Sequence, residues 1–273
     1  MKHLPILLMA LLFISCETDV NNPDWPDHEP KLVITASVRL TTDSAFVFCR
    51  VSRTMGLGED FRMDRAMVND AEVNILNDGK ARAIPYRQNY DPFTSDANYV
   101  AVFPRGSFTE YTLTVRRGEL YARATLTIPD LPLAMDTVIV RRMQFGTWVE
   151  RELQYVLRTP LNRVRYDMVL EERMGSGVWL EVPWGPWSFL DAVWTNPTTG
   201  SFRYGSYLNS IRGRYTITAR SPEYNNYENS RWNSDPSGSP FEPDAKNPPF
   251  NITGDGIGFF WYELVGEPVE LRY

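Results

Sequence analysis

From Lys31 onward the chain alternates apolar and polar positions with a period of two. The runs KLVITASVRL, SAFVFCRVS, AEVNILND, NYVAVFP, EYTLTVRRG and LYARATLTIP are short and rich in Val, Ile, Thr, Tyr and Phe, the pattern of half-buried strands. Asn77-Asp78-Gly79 and Arg116-Arg117-Gly118 separate them as turn signals, and EYTLTV followed by LYARATLTI reads as a hairpin turning at Gly118. In Tyr111-Thr112-Leu113-Thr114-Val115 the alternation sends one face to a core and the other to solvent. GLGEDFRMDRAM is a longer loop with room for one helical turn. About seven short strands in a hundred residues predict an immunoglobulin-like β-sandwich over residues 31–130.

Pro129-Asp130-Leu131-Pro132 interrupts this pattern with two prolines around a polar turn. Strand-like runs resume in DTVIVRRMQF, RELQYVLRTP, VRYDMVLEERM, VWLEVPW, SFRYGSYL and RGRYTITARS. Residues 131–273 are therefore expected to form a second antiparallel β domain, open or partly closed into a barrel, and the chain as a whole to be mostly all-β. One short helix is predicted in SPEYNNYENSRW. Ser221 is placed to cap it, Pro222 suits its first position and Glu223 its first turn, while Tyr224, Tyr227 and Trp232 share a face. The irregular stretch NSDPSGSPFEPDAKNPPFN then precedes two last strands, IGFFWYELV and PVELRY. No internal repeat is visible.

The first sixteen residues follow another logic. MKHLPILLMALLFISC has Lys2 and His3, an apolar run from Leu4 to Ile14, then Ser15 and Cys16. The run is too short to span a membrane, which takes about 20 apolar residues, and its layout is that of a secretory signal peptide over residues 1–15. A cysteine directly after the cut marks the lipoprotein variant and makes Cys16 the lipid attachment site, although Phe13 stands where a lipobox prefers leucine. Several acyl chains on one residue anchor a protein stably to a membrane. Residues 16–30, with Pro23, Pro26 and Pro30 among Asp19, Asp24, Asp27 and Glu29, cannot bury enough apolar surface to fold and read as a lipidated flexible tether.

Composition narrows the chemistry. The formal net charge is −6 and becomes one unit more negative when Lys2 leaves, which argues against nucleic-acid binding. Lys31, Lys80 and Lys246 are the only lysines after the cut, so the cations are nearly all arginine. With Cys16 committed to lipid, Cys49 has no partner for a disulfide; in SAFVFCRV it reads as a small buried hydrophobe. The two histidines are His3 and His28, both outside the folded body. Histidine-dependent triads, Cys-His dyads and His-based metal sites are thereby excluded there. No cofactor or metal is expected, and the chain reads as a non-enzyme.

Candidate sites are few. Gly254, Gly256 and Gly258 in GDGIGFF superficially suggest a nucleotide loop, but they precede a strand pattern and carry no phosphate-binding lysine, so a tight turn or bulge fits better. Asp235, Glu242, Asp244 and Asp255 match no calcium-loop pattern. Aromatic residues crowd between Trp179 and Tyr207. Trp179 and Trp194 are expected in the core. PWGPW is turn-like, so Trp184 and Trp187, with Tyr204, are the candidates for contact with a ligand or partner.

Several stretches resemble one family of Bacteroidota lipoproteins, the domain-of-unknown-function family numbered 4249. They are Cys16-Glu17, His28-Glu29-Pro30-Lys31-Leu32-Val33-Ile34, Val51-Ser52-Arg53-Thr54, and Asn247-Pro248-Pro249, Asn251-Ile252, Gly254, Gly256, Ile257, Gly258 and Phe259. The resemblance implies an outer-membrane lipoprotein with a sandwich-like N-terminal domain and a β-rich C-terminal part, acting near a TonB-dependent transporter. It brings no catalytic residues.

The expected function is therefore that of a lipid-anchored outer-membrane accessory or binding protein beside a TonB-dependent nutrient transporter. One alternative is a structural or cell-surface interaction protein with no small ligand. Another is a hydrolase pairing Glu171 or Glu172 with Asp191, since glycosidases need two carboxyls across a cleft.

Overall fold

In the computed structural model the described residues are 29–56, 62–87, 97–106, 109–130, 135–145, 148–158, 164–173, 179–181, 190–191, 199–207, 212–233 and 250–272, with positions 59, 133, 161 and 177. The expected signal peptide, Cys16 and most of the expected tether lie outside them.

Seventeen strands and two helices follow one another in these segments. The first seven strands are β1 (Leu32–Leu40), β2 (Ser44–Arg53), β3 (Glu72–Asn77), β4 (Lys80–Ala83), β5 (Tyr99–Pro104), β6 (Glu110–Arg117) and β7 (Leu120–Thr127). They are followed by β8 (Met135–Phe145), β9 (Trp148–Leu157), β10 (Arg165–Arg173), β11 (Trp179–Glu181), β12 (Leu190–Asp191), β13 (Thr199–Tyr207) and β14 (Arg212–Arg220). The last three are β15 (Thr253–Gly254), β16 (Gly256–Val265) and β17 (Val269–Arg272). Helix α1 (Met63–Ala66) is the single turn expected in the loop after β2, and α2 (Pro222–Asn233) is the predicted helix.

The strands make three sheets. The largest runs β11-β10-β14-β16-β1-β2-β5, with β12 added on β10 and β17 on β14. A second runs β15-β7-β6-β3-β4 and a third β13-β9-β8. Residues 31–130 thus supply strands to two facing sheets, a β-sandwich-like arrangement, and no sheet of the described residues closes into a barrel. The large sheet crosses the expected boundary at residue 130: β10, β14, β16 and β17 lie in it together with β1, β2 and β5. Its central pairing is parallel, Leu32 opposite Gly256 through Leu40 opposite Leu264, where only antiparallel pairing was expected. The reason lies in β16, which is buried on both faces for nearly its whole length, as a central strand must be.

Alternation builds the core. Leu32, Ile34, Ala36, Val38 and Leu40 of β1 and Ala45, Val47, Cys49 and Val51 of β2 turn to one side. There they join Val73, Ile75, Leu113, Val115, Ala122, Ala124 and Leu126 of the second sheet in one cluster. Cys49 is unpaired and buried, and burial pushes its thiol far above the usual range. The hairpin predicted at Gly118 forms between β6 and β7 with Gly118 at positive φ, and the turn signal at Asp78-Gly79, both at positive φ, closes a second hairpin onto β4, a strand the sequence pattern did not predict.

The glycines before β16 are where backbones meet closely. At Gly258, with φ 133°, a methyl group would overlap the Ile34 carbonyl oxygen and lie 2.8 Å from its carbon. At Gly256 it would come within 2.7 Å of the Ala122 Cβ. Asn251 fastens the same strand, its side chain accepting from the Phe260 N–H at 2.8 Å and donating to the Phe260 carbonyl at 2.6 Å. Asp255 Oδ2 accepts from the Tyr121 N–H at 3.0 Å. GDGIGFF is a turn and close crossing, as its strand context predicted.

Candidate functional site

The site is built on the face of the large sheet that looks away from the sandwich core. In β1 the residues between the core positions are Val33, Thr35, Ser37 and Arg39, of which the last three line the groove. Register then sets their neighbours: Ser37 lies opposite Phe48 on β2 and Trp261 on β16, Thr35 opposite Arg50 and Phe259, Arg39 opposite Glu263. Helix α2 lies over this strip and forms a wall. The result is an open groove of about 790 Å³, within the range of small-ligand sites.

Aromatic rings shape one side. Tyr227 stacks on Trp261 with centroids 5.2 Å apart and planes inclined by 14°. Tyr224 meets the same indole at 5.7 Å, and Tyr227 meets Phe259 edge-on at 5.5 Å. Phe250 extends the cluster to Phe259 at 5.2 Å. Arg220 covers Tyr224 with its guanidinium 4.6 Å from the ring centroid, a cation–π contact. Trp261 is 9% exposed, and its indole N–H meets no acceptor among the described residues. Ser221 departs from its predicted role. Its hydroxyl accepts from the Tyr262 N–H at 3.4 Å, so it fastens the start of α2 to β16 instead of capping the helix by its side chain.

Charges line the groove in a connected row. Glu263 accepts from Arg39 Nε at 2.8 Å and from Arg220 Nε at 3.2 Å. Arg220 continues to Asp167, which also binds Arg165. Burial works against the Arg220 charge, but Asp167 and Glu263 beside it outweigh that cost and raise its pKa. Arg50 and Arg87 contribute two more cations to the lining, Glu228 a second carboxylate.

Arg87 is held from behind. Its N–H donates to the Asn98 carbonyl at 2.7 Å. The fully buried Asn98 side chain accepts from the Val51 N–H at 2.8 Å and donates to the Val51 and Val68 carbonyls at 2.9 and 2.8 Å. The Tyr86 ring packs edge-on against Tyr99 at 5.6 Å. The rim of the groove is therefore fixed to the core.

The residues singled out from sequence fall elsewhere. Trp184, Trp187 and Trp194 lie outside the described residues, as does the side chain of Trp232. Tyr204 sits in β13, at the edge of the third sheet and opposite Arg151 of β9. Trp179, expected in the core, is half-buried on β11 under the Arg214 guanidinium, 4.5 Å from its ring centroid. Glu171 accepts from Arg214 Nε and Nη2 at 2.6 and 2.9 Å. Glu172, the next residue and so on the opposite face, pairs with Arg151 at 3.2 Å with both side chains almost fully buried. Asp191 lies on β12, paired through Arg165 to β10. Of the four loop acids only Asp255 is among the described residues. No group of three or more His, Cys, Asp or Glu placed for a metal occurs among those residues, and no helix there is long and apolar enough to cross a membrane.

Sequence reasoning missed the groove because its parts come from β1, β2, the segment before β5, β16 and α2. The signal available was weak: the polar face of β1 and the Tyr224–Tyr227 spacing on a short helix.

A comparison with curated proteins finds no match. Among solved structures, a DUF3823 family protein from Bacteroides ovatus aligns with 68% of this chain and 89% of its own, at 10% identity and a TM-score of 0.18. That score is too low to carry an argument. The match to a family is extensive, running from residue 18 to residue 261 through β1, all of the groove's lining residues named above except Glu263, and the first part of β16, and by it this chain belongs to the family described as "Domain of unknown function (DUF4249)".

Proposed function

We propose that this chain is a lipid-anchored, non-catalytic binding or accessory protein of the bacterial outer membrane, held through Cys16 and working beside a TonB-dependent nutrient transporter. The observation that carries the anchoring is the layout of MKHLPILLMALLFISC, with the acidic, proline-punctuated tether behind it. The binding half is supported by the groove over β1 and β16, whose volume and mixture of aromatic and cationic groups suit a small ligand. The non-catalytic reading is favoured by the commitments of Glu171 to Arg214 and Glu172 to Arg151.

The test is co-purification. Envelopes of the native host are extracted in mild detergent and the tagged full-length protein is recovered. Wild type brings down an outer-membrane transporter, and Cys16→Ala moves the protein out of the membrane fraction. Recovery of the protein alone in repeated pull-downs overturns the transporter association, and an unchanged membrane fraction for Cys16→Ala overturns the anchor.

A further inference from the structure

We infer that the groove between α2 and the β1–β2 strip binds a small organic monoanion, a carboxylate carried on a flat apolar body. Three guanidinium groups, Arg39, Arg50 and Arg87, line it against two carboxylates, Glu228 and Glu263. Among the described residues one positive charge is in excess, inside a chain whose net charge is −6. Glu263 is also shared with Arg220, whose own charge is met by Asp167 outside the lining. An anion is thus favoured over a cation, and a single charge over a double one, because a dianion would also face Glu228 and Glu263. A guanidinium presents paired N–H donors that match the two oxygens of a carboxylate.

The remaining lining selects the body of the ligand. Phe48 lies two positions before Arg50 on the same face of β2, and Tyr227 stands on the opposite wall, stacked on Trp261. Both are half-buried, so they offer apolar area to a flat ring. Ser37 and Thr35 add hydroxyls on the floor. Preorganisation strengthens the assignment: Arg87 projects from a backbone held by the buried Asn98, and Arg50 from the middle of β2. A ligand meeting cations already in place loses less affinity to ordering them.

This rests on the binding half of the reading above and is independent of the transporter. The experiment is isothermal titration of the full-length lipidated protein in detergent with 2-naphthoate, against a detergent blank. 2-Naphthamide and 1-naphthyl phosphate serve as the neutral and doubly charged counterparts. The expected result is saturable binding of naphthoate, with both counterparts about tenfold weaker, the low end of what a charge-assisted hydrogen bond contributes. Arg87→Gln should weaken naphthoate about tenfold at unchanged Tm, since its backbone bond to Asn98 remains; Arg50→Gln is the second variant. Absence of naphthoate binding overturns the inference, as does equal affinity for the amide, or variants that bind like wild type. Phosphate binding as tight as naphthoate overturns the single-charge assignment. A protein that co-purifies with a transporter yet ignores naphthoate loses only this inference.

Discussion

Replacing Glu172 by Leu should destabilise the protein more than almost any other single surface-neutral change, because it strands a buried cation. Arg151 on β9 and Glu172 on β10 tie the third sheet to the large one, with side chains 1% and 3% exposed and 3.2 Å between Nη1 and Oε1. At an effective dielectric constant of about 20 their attraction is about 5 kcal/mol. Removing one partner of such a pair costs about 3–5 kcal/mol, mostly as the desolvation of the charge left behind. Both residues engage other groups as well, which places the expected loss toward the lower figure. For a chain of this size each kcal/mol moves Tm by about 2–4 °C, so a loss of about 3 kcal/mol lowers Tm by about 6–12 °C. The assay is thermal unfolding followed by circular dichroism for wild type, Glu172→Leu, Arg151→Met and the double variant. Removing both charges is close to neutral in a packed interior, so the double variant should recover most of the loss. Equal losses in the single and double variants would refute the reasoning.

Three further outcomes follow from the geometry. Gly258→Ala, which forces a methyl group onto the Ile34 carbonyl at a left-handed φ, should cost more than about 2 kcal/mol. Gly79→Ala, with positive φ but open space around it, should cost only about 1 kcal/mol; denaturant titrations of the two variants should differ accordingly, and equal losses would remove the close-approach argument. Asn98→Ala orphans the buried Val51 N–H, worth about 1–3 kcal/mol, and should also loosen the Arg87 rim, read as faster hydrogen exchange at the amides of Tyr86 and Arg87. Stability should fall in alkali: Cys49 is held far above 9.0 in the folded state, and Tyr99 and Tyr262 are pushed from 10.0 up to about 12 by burial. The unfolded chain therefore releases these protons first, so stability is intact below about pH 9 and declines by up to about 1.4 kcal/mol per pH unit for each such group above its unfolded pKa. A flat urea midpoint between pH 8 and 11 would contradict this.

What could be read from the chain and what could not divides along sequence distance. The turns at Asp78-Gly79 and Gly118 were legible because φ > 0 is demanded and supplied within two residues. The helix at Pro222 was legible from its first turn. The parallel seat of β16 beside β1 was not, since nothing local to IGFFWYELV names its partner; its unbroken apolar run is compatible with any central strand. The same distance hid the groove. Thr35, Ser37 and Arg39 were readable as the polar face of β1, and a polar face is ordinarily a wet one. Only the register that brings Trp261 and Glu263 alongside, and the hydroxyl of Ser221 that draws α2 onto β16, turns that face into a concavity. Aromatic density pointed instead to Trp184 and Trp187, because counting residues along the chain rewards neighbours in sequence, whereas Tyr227, Phe259 and Trp261 are neighbours in space.

The pairing of the first strand with the penultimate one bears on how the protein comes into being. Arg39 and Glu263 are 224 positions apart, so the central rung of the large sheet closes only after almost the whole chain has emerged. Such high contact order slows folding, and until β16 arrives β1 offers a bare apolar edge of nine residues. Loss of the last twenty residues, which removes β16 and β17, should therefore leave a chain that aggregates rather than a shortened sandwich.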